Sequence, residues 1–228
     1  MSHLLPAFLR RRLIVRYHPS AFLLAAQFVS LFLYALLDDT PSGRAVLSAF
    51  GGLLLVLVVW VVSRSPGFRS VALALAIPAF GMSLLYAWRP AQGLLVASAL
   101  LEAALYLYCA GSLIAYMMED RRVTTDELFA AGATFTLLAW AFTYIYLVCQ
   151  VLVPDSFTGV NHPEQPRTFL ELLFFSFTNL SATGLGDILP MAPVARVLVM
   201  LEQFAGVAYI AVVVSRLIGL TIKGDAKG

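Results

Sequence analysis

Phe174-Phe175-Ser176-Phe177-Thr178-Asn179-Leu180-Ser181-Ala182-Thr183-Gly184-Leu185-Gly186-Asp187-Ile188-Leu189-Pro190 is the stretch that decides how this chain folds. From Thr168 to Leu180 the sequence is apolar and aromatic, yet shorter than the roughly 20 residues a helix needs to cross a hydrocarbon core of about 30 Å. Longer apolar runs flank it, Glu127 to Val153 before and Pro193 to Ile222 after. The short segment is therefore expected to enter the membrane and return on the same side. Irregular backbone at that depth is tolerated where it lines a water-filled path, because its carbonyls must find partners. Ser181 to Asp187 suits such a path: glycines at 184 and 186 can take angles that side chains disfavour, which turns successive carbonyls to one side.

The rest of the chain supplies the membrane setting. Of its 228 residues, 61% are hydrophobic and 12% charged, and its mean hydropathy is +0.87. This is the composition of an integral membrane protein. A formal net charge of +2 with no basic run outside the N-terminal segment gives no footprint for nucleic acid. Cys109 and Cys149 both lie in apolar runs and read as small buried hydrophobes. Four further runs of spanning length precede the two already named: Ser20 to Leu37, Ala45 to Val62, Ser70 to Trp88 and Gln92 to Met117. Turn chemistry such as Asp38-Asp39-Thr40-Pro41-Ser42-Gly43, Ser65-Pro66-Gly67 and Arg89-Pro90 separates them.

Lys and Arg set the orientation, since cytoplasmic loops retain them. With the N-terminus inside, the cytoplasmic face collects Arg10, Arg11, Arg12, Arg16, Arg64, Arg69, Arg121, Arg122, Arg216, Lys223 and Lys227, and the outside keeps Arg44, Arg89, Arg167 and Arg196. Six spans with both termini cytoplasmic, in the cell membrane, follow. The first run is expected to be a retained helix and not a cleaved signal peptide, for no small-residue cleavage site precedes the Asp38-Asp39 turn. Leu4 to Tyr17 mixes apolar residues with the Arg cluster, which leaves an interfacial helix and a basic tail both open.

The quoted stretch resembles the pore helix and selectivity filter of potassium channels, whose signature reads T-T-V-G-Y-G-D. Laid on it without gaps, Ser181 and Ala182 take the two Thr places, Thr183 the Val and Leu185 the Tyr, while Gly184, Gly186 and Asp187 match. Pro190, Arg196 and Gly206 fall where many family members have a proline, an outer arginine and an inner-helix hinge glycine. The likeness covers roughly Glu127 to Ile222. It implies an all-α membrane protein of six transmembrane helices, with a re-entrant pore helix and filter between the fifth and sixth. The divisions expected are a cytoplasmic basic segment 1–19, a four-helix sensor-like bundle 20–117, a cytoplasmic linker 118–126, a pore domain 127–222 and a short cytoplasmic tail 223–228.

The same resemblance implies a homotetramer in membrane lipid. Its ion sites would be formed by Ser181 to Asp187, with potassium on the backbone carbonyls of Ala182, Thr183, Gly184 and Leu185, and no cofactor beyond the permeant ion. Phe174, Phe175, Thr178 and Glu202 are the expected filter supports, Gly206 the gating hinge, and Asp187 a ring of charge at the outer mouth. Two departures bear on selectivity. Leu185 lacks the hydroxyl of the usual Tyr, and Phe174 and Phe175 offer no polar handle to it, so packing alone is expected to hold the filter. Ala182 lacks the hydroxyl its family counterpart lends to the innermost ion site. Leu does occur at the place of Leu185 in the second pore loops of some two-pore potassium channels.

Charges inside the membrane are costly enough that each is expected to face protein or water. Glu171, Glu202 and Glu102 are of this kind; Glu202 is expected to brace the region behind the filter, and no partner for Glu102 can be named from sequence. Between Gln92 and Met117 there is no Lys or Arg, so a voltage sensor with a charged fourth helix is not expected. Little chain follows Ile222, and a cytoplasmic nucleotide- or calcium-binding domain is not expected either. Nor is an enzyme, because no nucleophile–base constellation is visible. The alternatives left open are a weakly selective cation channel, a potassium-uptake transporter subunit and a non-conducting scaffold.

Overall fold

The computed structural model describes residues 18–37, 41–62, 69–119, 124–160, 162–216 and 218–219, with the side chains of 41–50, 62 and 214 left aside. Residues 1–17, 120–123 within the 118–126 linker, and the 223–228 tail lie outside these residues. The helices are α1 (Pro19–Leu37), α2 (Pro41–Val62), α3 (Arg69–Trp88), α4 (Gln92–Glu119) and α5 (Thr125–Leu152). A short strand β1 (Phe157–Gly159), helix α6 (Phe169–Leu180), strand β2 (Ile188–Pro190) and helix α7 (Pro193–Tyr209) follow, and α7 runs on into a π-helical turn at Ile210–Val214. Five of them, α1, α3, α4, α5 and α7 with its extension, are long and apolar enough to cross a membrane among the described residues. The chain is thus a multi-pass, mainly helical membrane protein. α6, with 12 residues, is about 18 Å long at 1.5 Å per residue and cannot cross.

Small residues let the long helices approach. Ala99, Ala103 and Ala110 of α4 and Ala130, Ala133, Ala139 and Ala141 of α5 are buried, as small side chains are where membrane helices pack closely. α4 and α5 form the most extensive helix pair, and α1 also packs along α5. The result is one core across the expected boundary between the bundle and the last three helices: Leu23, Val58, Leu105, Leu113, Leu137, Leu173, Leu180 and Tyr209 belong to it together. Polar links reinforce it, with Thr136 Oγ1 donating to Gln27 Oε1 at 2.6 Å and Ser20 Oγ to Asp126 Oδ2 at 3.0 Å.

Glu102 has partners after all. Ser83 Oγ of α3 donates to its Oε1 at 2.7 Å, and Tyr144 of α5 lies beside the same carboxyl. Tyr144 in turn packs on Phe169, the first residue of α6, at 5.1 Å between ring centroids, and Tyr34 of α1 stacks on the same ring at 5.0 Å.

The two strands are the feature an all-helical expectation omits. Phe157 pairs with Pro190, Thr158 with Leu189 and Gly159 with Ile188 in an antiparallel ladder. Val160 N–H to Asp187 O (3.0 Å) and Met191 N–H to Ser156 O (2.8 Å) extend it at both ends. Backbone leaving an irregular segment needs partners for its polar groups, and the loop after α5 provides them.

Candidate functional site

The site begins at the cap of α6. Thr168 Oγ1 accepts from Glu171 N–H at 3.2 Å while Glu171 Oε2 accepts from Thr168 N–H at 2.7 Å, a reciprocal capping box. Glu171 is therefore a first-turn cap, and it pairs with Arg167 at 3.4 Å. The residue before the cap is clamped from α5: Arg167 N–H donates to Gln150 Oε1 at 2.8 Å and Gln150 Nε2 to Arg167 O at 3.0 Å. Arg167 is itself buried, and its Nη2 donates to the carbonyls of His162 and Gln165. The start of the short helix is thereby fixed in position and direction.

At the other end the chain reverses. Ser181 N–H bonds Phe177 O at 3.1 Å and Ala182 N–H bonds Asn179 O at 3.0 Å, and then Thr183 N–H and Gly184 N–H both turn back to the Thr178 carbonyl, at 2.8 and 3.0 Å. Ala182, Gly184 and Gly186 take left-handed φ of 58°, 61° and 68°. Left-handed residues at every second position rotate alternate peptide planes, so carbonyls that would point to opposite sides come to one. Among the described residues no hydrogen bond reaches the carbonyls of Ala182, Thr183, Gly184 or Leu185. Ser181 to Gly186 are exposed along the chain, Asp187 is half-buried, and the Leu185 side chain is 60% exposed. The segment is not held by packing alone, contrary to the expectation from Phe174 and Phe175: its own amides tie it to the end of α6. A hydroxyl contact between Ser181 and Thr183, 2.8 Å apart, adds to this.

The expected supports are placed unequally. Phe175 is buried against Tyr146 and Phe157, at 5.3 and 5.8 Å between centroids, whereas Phe174 is 45% exposed. Thr178 is buried; its carbonyl is the double acceptor just described and its hydroxyl donates to Phe175 O at 2.8 Å. Glu202 is fully buried, and its two oxygens meet the hydroxyls of Tyr146 on α5 and Ser176 on α6. One side chain of α7 thus joins both neighbouring helices. A second link, Gln203 Nε2 to Asn179 Oδ1, measures 3.0 Å.

Gly206 stands where α7 crosses the end of α6. A Cβ there would overlap the Leu180 carbonyl oxygen and lie 2.8 Å from its carbon and 3.0 Å from its Cα. The glycine permits backbone-to-backbone contact, and α7 is regular around it. The departure from α geometry comes later, at Ile210–Val214. Beyond that turn, Arg216 pairs with Glu127 of α5 at 3.4 Å.

Tyr146, Ser176 and Gln150 were not legible as site residues, for a lone hydroxyl or amide in an apolar helix carries no spacing signal. The Thr168-Phe169-Leu170-Glu171 pattern did carry one, the S/T-x-x-E of a capping box, and would have fixed the start of α6.

A short helix thus runs into alternating left-handed residues whose carbonyls accept no hydrogen bond among the described residues, and it lies between two long membrane helices. Residues 132–223 match the family model for an ion channel. No curated protein and no solved structure matches the chain. Over these residues the chain is similar to an ion-channel domain, a family of channels and not of enzymes.

Proposed function

We propose that the chain is one subunit of a homotetrameric, potassium-selective channel whose filter is Ser181 to Asp187. The observation that carries this is the alternation of left-handed φ at 182, 184 and 186 beside four carbonyls without hydrogen bonds. Carbonyls on one side of one strand cannot surround a cation. Four copies about an axis would stack them into rings that replace the hydration shell of potassium, with ions at Ala182, Thr183, Gly184 and Leu185 and the four Asp187 carboxylates drawing cations to the mouth. Four copies would also cover α7, which buries the single stripe Ala195, Val199, Glu202, Gly206, Tyr209 and leaves Leu201 55% and Phe204 75% exposed.

The supporting chain would have six spans with both termini cytoplasmic. α2 has 22 residues, about 33 Å at the helical rise, and α6 dips in from the outside. Residues 20–117 form the sensor-like bundle and 127–222 the pore domain. α4 carries no Lys or Arg between Gln92 and Met117, so no charged fourth helix drives opening. Bending of α7 is assigned to the π-helical turn at Ile210–Val214, since such turns interrupt the ladder that keeps a helix straight.

Purified protein in liposomes with a potassium gradient tests this. Flux that reverses at the potassium equilibrium potential in mixed potassium and sodium supports the proposal; a reversal potential insensitive to which ion is present makes it a weakly selective cation channel, the reading favoured by Ala182. No flux of either ion makes it a scaffold. Mass in mild detergent is expected to be that of four chains.

A further inference from the structure

The contacts around Glu202 outnumber the hydrogens that two hydroxyls can supply. Tyr146 meets Oε2 of Glu202, Ser176 meets Oε1, and Ser176 Oγ also lies 2.9 Å from the carbonyl oxygen of Ala139. A carbonyl only accepts, and a serine hydroxyl has one hydrogen and two lone pairs. If that hydrogen goes to Ala139, the hydrogen between Ser176 and Glu202 must come from the carboxyl.

The surroundings agree. Glu202 is fully buried, and the ion pairs among the described residues are Arg167–Glu171 and Arg216–Glu127, neither of them with Glu202. An ionised carboxylate so deep, without a cation, is strongly disfavoured. Among the described residues, the groups that meet it are Ser176 from α6 and the titratable Tyr146 from α5. α7 itself adds none beside it.

We infer that Glu202 is a neutral carboxylic acid that donates its proton to Ser176, completing a one-way chain from the Tyr146 hydroxyl through the Glu202 carboxyl and the Ser176 hydroxyl to the Ala139 carbonyl. Ala139 and Tyr146 are seven residues apart on α5, two turns along one face. The chain leaves that helix, passes through α7 and α6 and returns to it. Glu202 is thus a positioning residue that acts on the filter through α6, and one proton completes a polar link among the three helices. Loss of that proton turns the Ser176 hydrogen toward the carboxylate, leaves the Ala139 carbonyl to the Thr143 hydroxyl that donates to it at 2.7 Å, and puts a negative charge behind each filter strand. This rests on the pore proposed above for its effect on conduction, though not for the proton itself.

Infrared difference spectroscopy on the full chain in lipid, wild type against Glu202→Gln at neutral pH, reads the proton directly. A carbonyl-stretch band of a protonated carboxyl, shifted in deuterium oxide and missing from the variant, is expected; a carboxylate band in its place overturns the proposal. Should Glu202→Gln fail to assemble, Tyr146→Phe serves, since removing the hydrogen bond to Oε2 should raise the frequency of that band, and an unmoved band overturns the chain as drawn. Potassium flux in liposomes then tests the positioning role. Alkaline pH is expected to reduce flux in wild type, and the ratio of alkaline to neutral flux is expected to return toward one in Glu202→Gln; an unchanged ratio overturns that role. A protein with the protonated band but no potassium flux refutes the pore and leaves the proton standing. Potassium flux without the band does the reverse.

Discussion

The two sides of α5 hold buried acids in the same way and to different depths. On the bundle side Glu102 is met by Ser83 and Tyr144; on the pore side Glu202 is met by Ser176 and Tyr146. Tyr144 and Tyr146 are two residues apart, so a helix sends them to opposite faces. The bundle partners are only half-buried, while Ser176, Tyr146 and Glu202 are fully enclosed. Glycines differ likewise: Gly81, Gly93 and Gly111 of the bundle have open space at the Cβ position and Gly52 has the Phe80 side chain there at 2.8 Å, whereas Gly206 has backbone. The bundle tolerates adjustment. The pore side is closed around the end of α6, where small displacements move the candidate filter.

Gly206→Ala should separate the two sides most sharply. The added methyl meets the Leu180 backbone and not a yielding side chain, so the cost should exceed the roughly 3 kcal/mol at the upper end of ordinary overpacking. Loss of the assembled channel on size exclusion is expected; a thermally stable, conducting variant would mean that α7 and α6 are further apart than described. Next in size is Glu202→Leu, which orphans the enclosed Tyr146 hydroxyl and leaves Ser176 its bond to Ala139, and it should cost about 1–3 kcal/mol by thermal unfolding in detergent. Glu102→Leu should cost less, because its partners are half-buried, and should leave ion selectivity alone. Equal losses in both variants would erase the distinction between the two sides.

Gly184→Ala and Gly186→Ala probe geometry without crowding, since nothing lies within 4 Å of either added Cβ. Left-handed φ costs a side chain about 1–2 kcal/mol per residue, so the helices should stay folded while selective flux in liposomes is lost. Retained selectivity in both would move the ion path elsewhere. The smallest effect is expected at Gly111→Ala, in open space within α4, which should stabilise by up to about 1 kcal/mol. A destabilised variant would show that a neighbouring helix lies against that face.

How much of this was legible from the sequence varied with the kind of signal. The apolar runs gave the helices to within a few residues, Gln92 to Met117 lying within Gln92–Glu119 and Glu127 to Val153 coinciding closely with Thr125–Leu152. Helix length in a membrane follows bilayer thickness, and composition reports it directly. Gly184 and Gly186 announced left-handed backbone because few other residues take it readily. Ala182 shares that conformation and announced nothing, since alanine is at home in any helix. The ladder between Phe157–Gly159 and Ile188–Pro190 was hidden for another reason: three-residue strands are too short to show a period.

By itself, then, the sequence determined a membrane protein with a short helix and a glycine-bearing return between its last two long helices, because burial in lipid and left-handed φ constrain residue type locally. Only the tertiary structure decided what holds that return in place. Ser176, Tyr146 and Glu202 are separated by up to 56 residues, and hydrogen bonds between them depend on where three helices cross. Gly206 could be read from sequence as a place to bend, but its contact with Leu180 makes it a place where two backbones touch. Close approach belongs to a pair of helices, and no single stretch of sequence records it.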